Sequence, residues 1–133
     1  SLQKTFKHLE ELSMFKSPTV PTETPQQVHD AMARGEIVLI DVREPSEYAA
    51  ERIHGAMLFP LSTFDPAGLP DAEGKQVVLQ CGSGKRSETA FQKARAAGVS
   101  VRSHMGGGIM AWKAVGLPVV STDPATGTVR DRF

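Results

Sequence analysis

The chain has one cysteine, and it stands in QCGSGKRS, residues Gln80 to Ser87. A single thiol cannot close an internal disulfide, nor can it build a cysteine-rich zinc site. Two roles remain for it, apolar packing or reactivity, and its neighbours favour reactivity. Cys81 follows the apolar run VVLQ and precedes Gly82, Ser83, Gly84, Lys85, Arg86 and Ser87. Glycines let a backbone curl so that successive N–H groups point inward as an anion-binding nest, and the start of a helix adds further N–H donors. Such surroundings favour thiolate over thiol: an ordinary cysteine titrates near ~8.5, and positive environments bring that to roughly 3.5–7.5. Cys81 is therefore the candidate nucleophile, and residues 82 to 87 are its candidate anion-binding loop.

The elements that must hold this loop follow from the flanking patterns. IVLID at 37–41 and VVLQ at 77–80 are too apolar to alternate, as expected of strands covered on both faces. ETAFQKARAAG predicts a helix closing at Gly98, and VSVRSHM a third strand. GGG then makes a turn and IMAWKAVG a last helix. Thr24 and Pro25 mark the start of a helix over 25–34, PSEYAAERI predicts another with Ser46 as its cap, and AMLFPLSTF holds a short extended piece broken at Pro60. Alternating strands and helices imply an α/β fold with a parallel sheet, helices on both faces and right-handed crossovers. Functional groups in such sheets gather at the carboxyl edge, where Cys81 follows its strand. Leu2, Phe6, Leu9, Leu12 and Phe15 predict an amphipathic helix in an N-terminal extension, residues 1–17. The domain itself is expected over 18–120, with a polar tail over 121–133.

Composition sets the outer limits. The 133 residues carry 15 basic and 15 acidic side chains, so net charge gives no drive towards nucleic acid or an anionic membrane. No apolar run approaches the ~20 residues that cross a bilayer, and SLQKTFKHLEEL lacks the apolar stretch of a secretory signal. A cytoplasmic location is the expectation. The histidines at 8, 29, 54 and 104 show no metal-ligand spacing, and GSGK lacks the nucleotide-binding pattern, so neither a metal nor a cofactor is expected.

Four motifs in register, DVRE at 41–44, RIHGA at 52–56 with Pro60 following, CGSGKRS at 81–87 and GGIMAW at 107–112, resemble the rhodanese-like sulfurtransferase domain. The resemblance runs over roughly residues 19–120. It implies a five-stranded parallel sheet, a persulfide carried on Cys81, and transfer of that sulfur to a nucleophile in the manner of a thiosulfate sulfurtransferase. Its implied partners are a small anionic donor, thiosulfate or a persulfide, and a thiol, cyanide or protein acceptor. Asp41 and Arg43, ending a strand on the active edge, are expected to brace the loop through ion pairs or hydrogen bonds. Arg52 stands where the family commonly has histidine, so His54 receives no catalytic role. Gly106 replaces a residue that is commonly polar, which suggests a looser turn, and Trp112 is expected in the core.

Within the loop, Gly-Ser-Gly resembles mercaptopyruvate sulfurtransferases, while Lys85-Arg86-Ser87 resembles single-domain thiosulfate-type proteins. Cysteine-dependent phosphatases and arsenate reductases have a related loop with one residue more between Cys and Arg, so the shorter loop here argues against them. A non-enzymatic persulfide carrier or protein-interaction module is the other alternative, with segment 1–17 supporting a partner contact or a homodimer.

Overall fold

Strand and helix begin where the local chemistry lets them, and most starts lie where the sequence places them. The computed structural model describes residues 19–71 and 74–131; the amphipathic segment expected over 2–15 lies outside them. The first described helix, α1 (Pro25–Ala33), opens on a reciprocal cap: Gln27 N–H donates to Thr24 Oγ1 at 3.2 Å, and Thr24 N–H donates to Gln27 Oε1 at 2.9 Å. Helix α2 (Pro45–Ala50) starts one residue before the expected cap. Pro45 is preset for a first helical position, so Glu44 becomes the cap residue, its N–H donating to Glu47 Oε1 at 3.1 Å. Two further helices start instead after glycines in the left-handed region: α3 (Lys85–Ala96) after Gly84, inside the loop of interest, and α4 (Gly108–Ala114) after Gly107, inside the GGG turn.

Five strands form one parallel sheet. They are β1 (Thr22–Glu23), β2 (Ile37–Asp41), β4 (Met57–Leu58), β5 (Gln76–Gln80) and β6 (Ser103–Met105), in the spatial order β1-β6-β5-β2-β4. Leu39 pairs with Val78 and Asp41 with Gln80, so Asp41 and the residue after Gln80, Cys81, emerge together at the carboxyl edge. Alternate residues serve opposite faces. Ile37, Leu39 and Val78 pack under α1 and α4, with Val28, Ala31, Ile109 and Trp112. Ile40, Val77 and Leu79 pack under α3, with Ala90 and Phe91, and Cys81 belongs to this second face. Each fully buried large aliphatic side chain contributes about 1.5–3 kcal/mol, and helices on both faces make the parallel sheet stable.

Three further expectations differ from the structure. The helix expected to run through residue 53 stops at Ala50, because Glu51–Arg52 (β3) pair antiparallel with Val120–Thr122 (β7). The expected polar tail is itself folded as far as 131: β7 pairs with Val129–Asp131 (β8) around a turn in which Gly127 N–H donates to the Asp123 carbonyl at 2.8 Å. The third strand is shorter than VSVRSHM, since β6 pairs with β5 only at Ser103 and His104. Trp112 is in the core as expected, 2% exposed, its indole N–H donating to the Pro118 carbonyl at 2.8 Å.

Candidate active site

The backbone after β5 turns inward immediately. Cys81 is 1% exposed, at the floor of the loop, while Ser83 and Lys85 are exposed above it. The Gly84 N–H donates to Cys81 Sγ at 3.1 Å. Gly84 is the N-cap of α3 with φ 108°, a conformation open to glycine, and that geometry is what aims its N–H at the sulfur. Ser87, one turn into α3 and fully buried, has Oγ 3.5 Å from Cys81 Sγ.

Two influences oppose each other at the thiol. Burial is the largest and pushes its pKa up, since a charged sulfur loses solvent. The Ser87 hydroxyl and the N–H groups of Ser87, Gly84 and Ser83 stabilise the anion, and together they hold the pKa below the ordinary thiol value. Hydrogen bonding to the charged form, more than the nearby cations, makes the thiolate accessible.

A second helix clamps the loop from behind. The N–H groups of Ile109 and Met110, in the first turn of α4, donate to the carbonyls of Cys81 and Gly82 at 2.8 and 3.1 Å. Gly108 lets α4 approach that closely: a Cβ there would lie 2.1 Å from the Cys81 carbonyl oxygen. The expectation of a loose GGG turn is corrected by this contact and by Gly106, whose Cβ would meet the Thr22 side chain at 2.8 Å. The turn is tight because glycine permits the approach of other groups.

The cations are placed differently from one another. Lys85 is exposed at the loop mouth. Arg86, expected beside the sulfur as an anion ligand, is bidentate to Glu47 of α2, at 2.6 and 3.0 Å. Its guanidinium still lies over the loop, 3.1 Å from where a Cβ on Gly82 would be, but its charge is largely answered by the carboxylate. Arg86 beside it holds the Glu47 carboxyl at about 2. Asp41 and Arg43 are buried and joined: Arg43 Nη2 donates to Asp41 Oδ2 at 2.8 Å and to the Glu51 carbonyl at 2.6 Å. Arg43 thus ties the sheet edge to the end of α2, which carries Glu47, and so braces the loop at one remove.

The rhodanese-like domain family matches residues 24–115 of the chain. The protein belongs to the rhodanese-like family. Among curated relatives, an uncharacterized protein of Synechocystis sp., slr1261, is 46% identical over 107 residues, covering 80% of this chain and 58% of that protein. A sulfurtransferase of Allochromatium vinosum is 31% identical over 88 residues, covering 66% of this chain and 82% of the relative. Among solved structures, a rhodanese-related protein from Thermoplasma volcanium superposes with a TM-score of 0.65 at 24% identity, over 75% of this chain and 97% of its own. The chain therefore spans little more than half of the Synechocystis relative's length.

Within the rhodanese fold, Cys81 to Gly84 form the loop and Lys85 to Ser87 the first turn of α3, while Asp41, paired with Gln80, ends β2 at the same sheet edge and is bound by Arg43. Sequence reasoning missed Glu47, Gly108 and His104. Glu47 lies 39 positions from Arg86, and only the crossover through α2 joins them. Gly108 had a visible sign in the GGG run. His104 bonds Ser87 through its ring, Nδ1 standing 2.8 Å from Ser87 Oγ, and lies 17 positions away in β6 with no local sign. Among the described residues, no group of three or more His, Cys, Asp or Glu is placed to hold a metal ion, and no helix is long and apolar enough to cross a membrane.

Proposed function

We propose that this protein is a sulfurtransferase that moves a sulfane sulfur through a persulfide on Cys81, from a small anionic donor such as thiosulfate to a thiol, cyanide or a protein cysteine. Family membership and similarity to the Allochromatium vinosum sulfurtransferase support a sulfurtransferase-type role in general. The observation that carries the finer reading is the Cys81 sulfur on the loop floor, with the Gly84 N–H 3.1 Å away at the start of the twelve-residue α3.

In the first step, the thiolate attacks the outer sulfur of thiosulfate. A Cys81 S–S bond forms, the donor's S–S bond breaks, and sulfite leaves with the electron pair. The negative charge moves one sulfur outward, where the N–H groups of Ser83, Gly84 and Ser87 and the α3 N-terminus favour it. In the second step the acceptor takes the outer sulfur, and the electron pair returns to Cys81 as thiolate. No external oxidant is needed. Lys85 at the mouth attracts the dianionic donor, while Arg86, held by Glu47, shapes the rim.

Steady-state kinetics with thiosulfate and cyanide test this reading. Parallel double-reciprocal lines and a higher kcat/KM for thiosulfate than for mercaptopyruvate are expected. Intersecting lines would contradict the two-step scheme, and a preference for mercaptopyruvate would overturn the choice of donor. Sulfur loading on Cys81 without turnover to any small acceptor would favour a carrier that serves a protein partner.

A further inference from the structure

A buried histidine lies behind the loop, and the sulfur-transfer scheme makes no use of it. His104, in β6, is 5% exposed and pairs in register with Thr22 of β1. Its Nδ1 is 2.8 Å from Ser87 Oγ and its Nε2 is 3.2 Å from Thr22 Oγ1. Thr22 Oγ1 donates to the Val20 carbonyl at 3.0 Å. Ser87 Oγ in turn lies 3.5 Å from Cys81 Sγ and 3.1 Å from the Gly84 carbonyl oxygen. An unbroken chain of polar atoms thus runs from the candidate nucleophile, through the helix and two strands, to the backbone before β1.

Counting protons gives the chain its direction. A carbonyl only accepts, so the single Thr22 hydroxyl proton goes to Val20, and the Thr22 oxygen is left to accept from Nε2–H. Burial disfavours a charged ring and lowers the His104 pKa, with Glu88 of α3 opposing more weakly. The other titratable group facing it is Cys81, through Ser87; Glu23 of β1 and Arg102, just before β6, are engaged with each other, Arg102 Nη2 donating to Glu23 Oε1 at 2.9 Å. A neutral ring with its proton on Nε2 leaves Nδ1 a bare acceptor. Ser87 then has one proton and three claimants, and the closest is His104 Nδ1.

We propose that His104 is a positioning residue for Cys81: as the Nε2–H tautomer it competes with the Cys81 sulfur for the Ser87 hydroxyl proton, and so weakens that donor without removing it. Ser87 stabilises the thiolate only when its proton faces the sulfur. With the proton on Nδ1, the serine oxygen instead accepts from the thiol S–H, and the thiolate relies on backbone N–H groups. Both effects make the thiol less acidic than the loop alone would. The benefit to catalysis rests on the sulfurtransferase reading: a thiolate loses nucleophilicity as its pKa falls, and the best attacking thiol has a pKa near the ambient pH.

Two measurements test this. Long-range proton–nitrogen NMR spectra of protein labelled in histidine should show His104 protonated at Nε2 and bare at Nδ1; a ring protonated at Nδ1 would overturn the proposal, and this readout needs no variant to fold. Ultraviolet thiolate absorbance against pH should then be compared for wild type, His104→Leu, Ser87→Ala and the double variant. His104→Leu should lower the thiol midpoint by about one pH unit, and this shift should vanish in the Ser87→Ala background. An unchanged or raised midpoint, or an equal shift in both backgrounds, would show that His104 does not act through Ser87. Neither readout requires sulfur transfer. Failure to load sulfur on Cys81 with both results intact would refute the proposed function and leave this inference standing.

Discussion

At the residue scale, the sulfur of Cys81 is buried and yet more acidic than an ordinary thiol, because N–H and hydroxyl donors outweigh desolvation. The thiolate is the reactive form, so the rate of Cys81 alkylation by iodoacetamide should rise with pH and level off below the usual thiol midpoint. A midpoint at or above ~8.5 would contradict the role given to the loop donors. Lys85 and Arg86 should separate in kinetics. Lys85→Ala should raise the KM for thiosulfate about threefold to tenfold with little change in kcat, and the effect should shrink at high salt, as screening of an exposed charge requires. An equal fall in kcat would place Lys85 at the reacting atoms instead. Cys81 and its loop were legible in sequence because all of their chemistry is contiguous, from VVLQ into the helix. Glu47 and His104 were not, because each reaches the loop from another element, and no periodicity reports that a crossover brings two side chains together.

At the scale of elements, the loop is held between two helix starts, α3 beneath the sulfur and α4 behind the carbonyls. Gly108 is the closest approach. Gly108→Ala, with φ 58° and a Cβ facing backbone at 2.1 Å, should cost about 2–4 kcal/mol in urea unfolding and abolish sulfur loading. Gly98→Ala, also at positive φ (72°) but with open space around its Cβ, should cost about 1 kcal/mol and leave loading intact. Equal effects would mean that the α4 contact does not shape the site. The elements read correctly from sequence, α1, β2 and β5, carry their own signals: the Thr24-Pro25 start and unbroken apolar runs. Those misread depend on distant partners. Glu51 and Arg52 follow a helical stretch and become a strand only because Val120 and Ser121 lie beside them. The polar 121–131 segment folds for the same reason, although its TDPATG turn between short β-branched runs was a local sign.

At the scale of the whole molecule, two ion pairs join the sheet edge, α2 and the loop. The Asp41–Arg43 pair is buried, so Arg43→Met should destabilise by about 3–5 kcal/mol, leaving Asp41 without its partner; a loss under about 1 kcal/mol, the size of an exposed pair, would show that the brace is dispensable. Glu47–Arg86 is half-exposed and acts through pH. The Glu47 carboxyl moves from an unfolded value of 4.5 to about 2 when folded. Its contribution is therefore fully present above about pH 4.5 and is lost as the pH falls through about 2. Glu47→Gln should flatten the acid side of the stability curve in that window, seen by circular dichroism melts, and an unchanged pH dependence would contradict the pairing. These pairs hold the rim, while the floor belongs to the sulfur. Intact-mass spectrometry after incubation with thiosulfate should show wild-type protein gaining one sulfur that cyanide removes, and Cys81→Ser gaining none. A wild-type mass that does not change, or a gain that persists in Cys81→Ser, would contradict a persulfide carried on Cys81.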